Sequence, residues 1–261
     1  MRGVFVNCGQ NCIAAERIFV QDGIYDEFID RVSKIFQEMR QGNPLGGPTI
    51  CNGAMTMPNQ VNIVENLVKN ATEKGARALF GGKRNPNLKG QFFEPTLLVD
   101  CKDDMDIITH EAFGPIMAVL RWKTDEEVIE RANSSIYGLA SSVFTTNYKR
   151  AESIASQLVC GTTVINDFGI PYLIQSLPFG GVKASGFGKF NGPEGMREFV
   201  YTKVVVTDWL GMRSPVPRFT QFPVPDNAYD ITKEVVTMIY TSSYIESAKS
   251  GFRLCKKMLG Y

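Results

Sequence analysis

The chain has 261 residues, of which 44% are hydrophobic, and its 24 glycines and 13 prolines are typical of a globular protein with many turns. A net charge of +1 excludes a protein-wide field that would attract nucleic acid, and the single histidine, His110, excludes histidine-based metal sites and Ser-His-Asp triads. The six cysteines are scattered, which argues against a disulfide framework or zinc site and for a reducing compartment such as the cytosol.

Near the start of the chain, Cys12 lies directly after a glycine-containing turn. The run that follows, from Ile13 to Arg17, predicts the beginning of a helix. A thiol at a helix N-terminus lies beside unpaired N–H groups and the positive end of the helix dipole, and both favour the nucleophilic thiolate. Cys12 fits this position better than Cys8, so Cys12 is the candidate nucleophile. The alternative is that Cys12 is a small buried hydrophobic residue, as most free cysteines are.

Further along the chain, hydrophobic periodicity predicts alternating helices and strands. Helices are predicted at 22–40, 58–74, 124–133, 148–158 and 193–199, strands at 76–80, 92–99, 116–122, 139–145, 162–166 and 200–207, and loops at 105–115 and 167–192. Four prolines at 214–226 predict an extended linker, followed by two helical pieces over 230–259 with a break near 241–243. The alternation predicts an α/β fold with a parallel-type sheet that helices cover on both faces.

A second candidate site is the segment His110-Glu111-Ala112-Phe113-Gly114-Pro115. A carboxylate before an aromatic residue and a tight turn can accept hydrogen bonds from the two hydroxyls of a ribose. The alternative for Glu111 is a solvated loop acid.

The third candidate is the glycine-rich run at 176–189, S-L-P-F-G-G-V-K-A-S-G-F-G-K. Its spacing matches neither a P-loop nor a dinucleotide-binding fingerprint. We expect its glycines to let the loop approach the nucleophile closely.

These three segments together resemble the aldehyde dehydrogenase superfamily. Residues 5–17 are similar to its active-site cysteine signature, with matches at Phe5, Asn7, Gly9, Gln10, Cys12, Ala14 and Arg17. The other two are similar to its E-x-F-G-P and P-F-G-G-x-K-x-S-G-x-G motifs. The wording of these motifs and the Pro-containing C-terminal extension look most like the plant-type family-twenty-two branch and its fungal relatives.

The resemblance implies NAD- or NADP-dependent oxidation of a small-molecule aldehyde to a carboxylic acid. Cys12 would attack the carbonyl, and the thioester formed after hydride transfer would be hydrolysed. Carried over, Glu111 would hold the nicotinamide ribose and Phe113 would pack beside the nicotinamide. Gln60 falls near a second ribose contact, with a helix-surface glutamine as the alternative. The pocket candidates are Asn166, Phe168 and Phe179, and structural packing is the alternative for each.

The resemblance also implies a domain organisation. Residues 1–199 would form the catalytic domain, 200–208 an oligomerisation strand and 209–261 a C-terminal extension. The strand that begins at Val200 would join copies into a homo-oligomer, although an ordinary internal strand is an equal alternative. The nucleotide-binding domain, the glutamate that activates water and the asparagine of the oxyanion site have no match here. We therefore expect a truncated or split protein that is inactive alone.

Two other functions stay open at this point. A CoA-acylating aldehyde dehydrogenase would pass the acyl group to a thiol, and a non-catalytic module would pair with full-length subunits. The basic tail at 249–257 could touch anionic lipid, but a solvated helix is the better interpretation, and no run of about 18 apolar residues supports a membrane segment. The aldehyde, the choice between NAD and NADP, and the organelle cannot be predicted.

Overall fold

The structure, a computed structural model, describes residues 1–47, 49–207 and 216–259. It divides into two compact units, Met1–Tyr201 and Thr202–Tyr261, each of which is described by itself. The strands of the first unit are β1 (Arg17–Gln21), β2 (Arg77–Phe80), β3 (Thr96–Val99), β4 (Ile116–Trp122), β5 (Tyr137–Gly138), β6 (Ala140–Val143), β7 (Thr162–Ile165) and β8 (Val182–Lys183). Its helices are α1 (Arg2–Phe5), α2 (Tyr25–Glu38), α3 (Pro58–Glu73), α4 (Asp106–Thr109), α5 (Asp125–Asn133), α6 (Tyr148–Ala155), α7 (Ile170–Leu173) and α8 (Gly192–Arg197).

The centre of the first unit is a four-stranded sheet in the order β1-β4-β3-β2. Strand β4 pairs in parallel with both β1 and β3, and β2 joins the far edge antiparallel. The predicted strand at 116–122 matches β4, a run of β-branched and apolar residues that lies in the middle of the sheet. The α/β class is confirmed, with a sheet that is mixed rather than wholly parallel.

Helices cover both faces of this sheet, as the alternation of side chains requires. On one face Leu97 and Met117 pack in a core cluster with Val32 and Phe36 of α2. On the other face Leu98, Ala118 and Leu120 pack in a second cluster with the apolar side of α3, contributed by Val61, Val64, Leu67 and Val68. The two helices predicted at 22–40 and 58–74 therefore hold the sheet between them.

The remainder of the first unit contains two short strand pairs. Strands β6 and β7 pair in parallel, with α6 as the connection between them, and β5 pairs antiparallel with β8. All four residues of β7 are half-buried. The predicted loops at 105–115 and 167–192 contain the short helices α4 and α7 and the two-residue strand β8.

Two other predictions differ from the structure. No helix begins at Ile13: residues 13–16 are irregular and β1 starts at Arg17, because pairing with β4 overrides the local helical preference. Residues 200–207, predicted as the clearest strand, form no strand among the described residues and are exposed. Asp208, the end of the predicted oligomerisation segment, lies outside the described residues.

The second unit is built on a helical hairpin of α9 (Ala228–Tyr240) and α10 (Tyr244–Leu259), which confirms the predicted pair of helices and the break at 241–243. Arg253 joins the two helices, since its guanidinium lies 2.9 Å from a carboxylate oxygen of Glu234 and 2.8 Å from one of Glu246. Of the predicted linker, residues 216 onward are described and include a short helical turn at Arg218–Thr220.

Among the described helices, none is both long and apolar enough to cross a membrane.

Candidate active site

The cysteine segment begins with three consecutive residues in the left-handed region, Asn7 (φ 53°), Cys8 (φ 60°) and Gly9 (φ 70°). Each non-glycine residue there costs about 1–2 kcal/mol, so the surroundings must hold the turn. The Asn7 amide donates to the Gln10 carbonyl at 3.0 Å, and the buried Cys8 thiol donates to Asn52 Oδ1 at 3.2 Å. The turn is thereby fixed just ahead of Cys12.

The two cysteines of the segment lie in opposite environments. Burial raises the pKa of Cys8 to about 12, against a smaller opposing effect of its hydrogen bond with Asn52, so this thiol stays protonated near neutral pH. Cys12 is exposed, with its Sγ 3.7 Å from Asn11 Oδ1. No helix follows Cys12, so the predicted helix dipole does not act on it. Accessibility, rather than a helix N-terminus, therefore distinguishes Cys12 from Cys8.

The cysteine segment packs directly against the Glu111 segment. A Cβ atom on Gly9 would lie 2.7 Å from the carbonyl carbon of Gly114 and closer still to its oxygen. Only glycine permits this approach, and the positive φ of Gly9 requires it as well. The structure thus brings together two of the three predicted motifs.

A second link between these segments is made by Glu16. Its Oε2 accepts a hydrogen bond from the Ala112 N–H at 3.0 Å, and its Oε1 accepts one from the Phe113 N–H at 2.8 Å. Burial raises the pKa of Glu16, and the negative charge of Glu111 acts in the same direction. The two backbone donors and Arg17 oppose that shift.

The Glu111 segment is also held from the side of α3. Gln60 donates from Nε2 to the Ala112 carbonyl at 2.7 Å, so its side chain supports the backbone of this segment. Phe113 is half-buried and has a positive φ of 46°. Glu111 itself is exposed, and among the described residues its carboxylate makes no hydrogen bond. The backbone of the Glu111 segment is thus held by α3, while the Glu111 carboxylate is exposed to solvent.

Of the three pocket candidates, Phe168 lies beside the cysteine segment. Its ring is so close to Gly3 that a Cβ there would lie 2.8 Å from it, and Gly169 approaches the side chain of Ile13. The Asn166 amide is instead used at the end of β7, where it exchanges hydrogen bonds of 2.8 and 2.9 Å with the backbone of Thr145. This bonding favours a structural interpretation of Asn166.

Phe179 is buried in an aromatic cluster with Tyr172 and Phe190, at ring-centroid distances of 5.5 and 5.1 Å, which favours packing as its role. The glycines around it make close backbone contacts. A side chain on Gly161 would collide with the carbonyl of Gly180, and the nearest atoms to Gly180 belong to Gly188 and Lys189. The glycine-rich loop therefore packs against the residue before β7 and against itself, and its approach to the nucleophile stays a prediction.

Basic residues from two motifs meet at the C-terminal end of α5. Arg17 donates to the carbonyls of Arg131 and Ala132 at 3.4 and 3.2 Å, and Lys183 donates to the carbonyl of Asn133 at 2.7 Å. Cations are favourable there because the last carbonyls of a helix are unpaired and carry partial negative charge. These two motif residues stabilise the scaffold.

The sequence model of the aldehyde dehydrogenase family matches residues 1–205. The chain belongs to the aldehyde dehydrogenase family. It is 38% identical over 270 residues to an aldehyde dehydrogenase-like protein of Saccharomyces cerevisiae, an alignment that covers 98% of this chain and 41% of the yeast protein. It is also 38% identical to the betaine aldehyde dehydrogenase of Bacillus subtilis, covering 78% of this chain and 42% of that protein.

Solved aldehyde dehydrogenase structures share this fold. The Mycobacterium tuberculosis enzyme complexed with NAD+ superposes with a TM-score of 0.71 at 36% identity, covering 76% of this chain and 40% of that one. A Staphylococcus aureus betaine aldehyde dehydrogenase with NAD+ gives a TM-score of 0.77 at 35% identity, covering 84% and 44%. The chain thus spans less than half the length of these relatives. Closeness to the plant-type branch stays a prediction.

Two residues of the candidate site have contacts that the sequence does not predict. Gln10 Oε1 accepts from the backbone N–H and the hydroxyl of Thr56, at 2.7 and 2.8 Å, which ties the cysteine segment to the residues before α3. Glu16 falls in the predicted helix start, whereas in the structure it accepts from two backbone amides of the Glu111 segment.

Proposed function

We propose that this chain is the catalytic part of an enzyme that oxidises an aldehyde to a carboxylic acid with NAD or NADP. The observation that carries the proposal is the direct packing of the accessible Cys12 segment against the Glu111 segment, through Gly9 on Gly114 and through Glu16. Membership of the aldehyde dehydrogenase family supports this proposal. The similar M. tuberculosis and S. aureus structures, which contain NAD+, support it as well. Because the chain spans 41% of the length of its yeast relative, the activity is proposed for the whole protein.

The residues present fit the nicotinamide end of such a cofactor. The Glu111 carboxylate is exposed and has both oxygens available to a ribose diol, while Phe113 offers a half-buried ring beside it. Gln60 supports the loop through Ala112 and is proposed to act on the cofactor only through that support. When bound, NAD or NADP accepts a hydride.

The chemistry of the chain's own residues centres on Cys12. Its thiolate adds to the aldehyde carbon, and the carbonyl oxygen becomes the oxyanion of a thiohemiacetal. Among the described residues nothing accepts a hydrogen bond from the Cys12 N–H, so this group is free to stabilise that oxyanion. After oxidation the thioester on Cys12 is hydrolysed, which releases the acid and regenerates the thiol. Phe168, which packs beside the cysteine segment, is the pocket candidate that the geometry supports best.

We retain the proposed division into a catalytic domain at 1–199, an oligomerisation segment at 200–208 and an extension at 209–261. The oligomerisation segment is supported by its exposed apolar side chains, among them Val204 at 78% and Val206 at 88% exposure. An exposed run of β-branched residues is suited to pairing with a strand of a second copy.

The experiment compares Cys12→Ala with Cys8→Ala in the full-length gene product, using a panel of aldehydes that includes betaine aldehyde. Cys12→Ala should lower kcat by more than about a thousandfold, since it removes the nucleophile. Cys8→Ala is the matched control, because its buried thiol is bonded to Asn52, and it should keep most of the activity of the folded protein. Wild-type turnover by Cys12→Ala would refute the assignment.

A further inference from the structure

Glu16 lies near the proposed active site, and its one carboxylate accepts hydrogen bonds from two successive backbone amides. The distances are 3.0 Å to the Ala112 nitrogen and 2.8 Å to the Phe113 nitrogen, across 96 and 97 positions of sequence. These amides belong to the loop that presents Glu111. The contact therefore holds the backbone of this loop. It leaves the exposed carboxylate of Glu111 without a partner among the described residues.

The loop needs such support because its backbone is strained. Phe113 has a φ of 46°, which bulky residues rarely adopt. Strained conformations persist where surrounding groups over-determine them. Here Glu16 holds the Phe113 N–H, Gln60 holds the Ala112 carbonyl, and Gly9 leaves room for the Gly114 carbonyl.

The chemistry of the contact calls for a carboxylate. Both carboxylate oxygens accept hydrogen bonds and neither donates, which matches two N–H donors side by side. An amide at position 16 would direct its NH2 group at one of these donors. Burial works against the charge, since it raises the pKa of Glu16, and Glu111 and Arg17 are the charged groups acting on it.

We infer that Glu16 is a positioning residue for the nicotinamide cofactor. Its carboxylate fixes the Ala112–Phe113 backbone in the strained form that directs Glu111 and Phe113 toward the ribose and nicotinamide. This inference rests on the proposed function, because it assumes that the Glu111 loop contacts NAD or NADP. It adds that the loop's geometry is set from the cysteine segment, so one segment serves both the nucleophile and the cofactor.

The test uses Glu16→Gln in the full-length gene product, with Glu152→Gln, an exposed glutamate on α6, as the control. The binding and structural measurements are hydrogen exchange at the amides of Ala112 and Phe113, the Kd for NAD and NADP by calorimetry, and the rate of Cys12 alkylation by iodoacetamide. Steady-state kinetics add the KM values for the cofactor and for the aldehyde. If Glu16→Gln does not fold, Glu16→Ala replaces it, because water can then reach the two amides.

We expect hydrogen exchange at the two amides to accelerate by roughly tenfold or more, because the variant loses one or two charge-assisted hydrogen bonds. The Kd for the cofactor should rise by roughly tenfold for the same reason. The KM for the cofactor should rise while the KM for aldehyde and the alkylation rate of Cys12 change by less than about twofold. A general loss of structure would move all of these together and would contradict the inference.

Two further outcomes separate this inference from the proposed function. Unchanged exchange, or accelerated exchange with an unchanged cofactor Kd, refutes the role of Glu16 alone. Failure of the wild-type protein to bind either NAD or NADP overturns the proposed function, and the positioning role with it.

Discussion

Replacement of Gly9 by alanine tests the contact between the two site segments. The added Cβ would lie 2.7 Å from the carbonyl carbon of Gly114 and 3.1 Å from the Val4 carbonyl oxygen, and the backbone at Gly9 has a φ of 70°. The left-handed conformation costs about 1–2 kcal/mol for a residue with a Cβ. The forced displacement costs about 1–3 kcal/mol more, because Gly114 is rigid backbone rather than a flexible side chain.

Against these costs stands the lower entropy of the unfolded chain with alanine, which stabilises by about 0.4–1 kcal/mol. The net expectation for Gly9→Ala is therefore a destabilisation of about 1–5 kcal/mol. The measurement is the shift of the urea midpoint in the full-length gene product, read by near-ultraviolet circular dichroism. Gly23→Ala is the matched control, because no atom lies within 4 Å of a Cβ placed there.

The control should stay within about 1 kcal/mol of the wild type. If Gly9→Ala is as stable as Gly23→Ala and keeps the same cofactor affinity, the two segments do not meet as described. A stable Gly9→Ala protein with weakened cofactor binding would instead show that the Glu111 loop moves to relieve the collision.

Two more predictions concern thiol reactivity and association. With iodoacetamide at about pH 8, the exposed thiols of Cys12, Cys51 and Cys255 should be alkylated well before those of Cys8 and Cys101, because burial raises the pKa of each of the latter to about 12. Labelling of Cys8 as fast as Cys12 would contradict the assigned burial. Replacing Val204 and Val206 together by lysine should reduce the molar mass found by light scattering, whereas the exposed Val216→Lys should not. An unchanged oligomer in the double variant would remove residues 200–207 from the interface.

The sequence predicts best where the determining interactions are local or strongly patterned. Strand β4 follows from a continuous run of apolar and β-branched residues. Helices α2 and α3 follow from apolar side chains at three- and four-residue spacing, and both fold with those faces against the sheet. The break between α9 and α10 follows from the polar residues at 241–243.

The prediction fails where a partner distant in sequence decides. Residues 13–17 have a helical preference, but Arg17 starts a strand because β4, about a hundred positions later, offers a pairing edge. The segment at 200–207 has strong strand propensity, yet strands exist only in pairs, and among the described residues it has no partner. Local propensity determines which structure a segment can form, but a strand forms only where the fold places a pairing strand beside it.

In the candidate site too, local motifs are predictable from the sequence, whereas contacts between distant segments are not. The motifs indicated Cys12 and Glu111 from sequence, but not which of their neighbours act on the scaffold. Arg17 and Lys183 belong to two of the motifs, and the structure shows that both donate hydrogen bonds to carbonyls at the C-terminal end of α5. Glu16 could not be assigned, because its partners at Ala112 and Phe113 are brought to it only by the sheet.

The parallel pairing of β1 with β4 has a consequence for insertions and deletions. Arg17 lies opposite Ala118, so the segments leading into these strands are aligned by the register of the sheet. One added residue before either strand would shift that segment by about 3.3 Å, more than the length of the hydrogen bonds that Glu16 makes. Homologous chains should therefore keep constant the spacings from Gly9 to Arg17 and from Glu111 to Ile116.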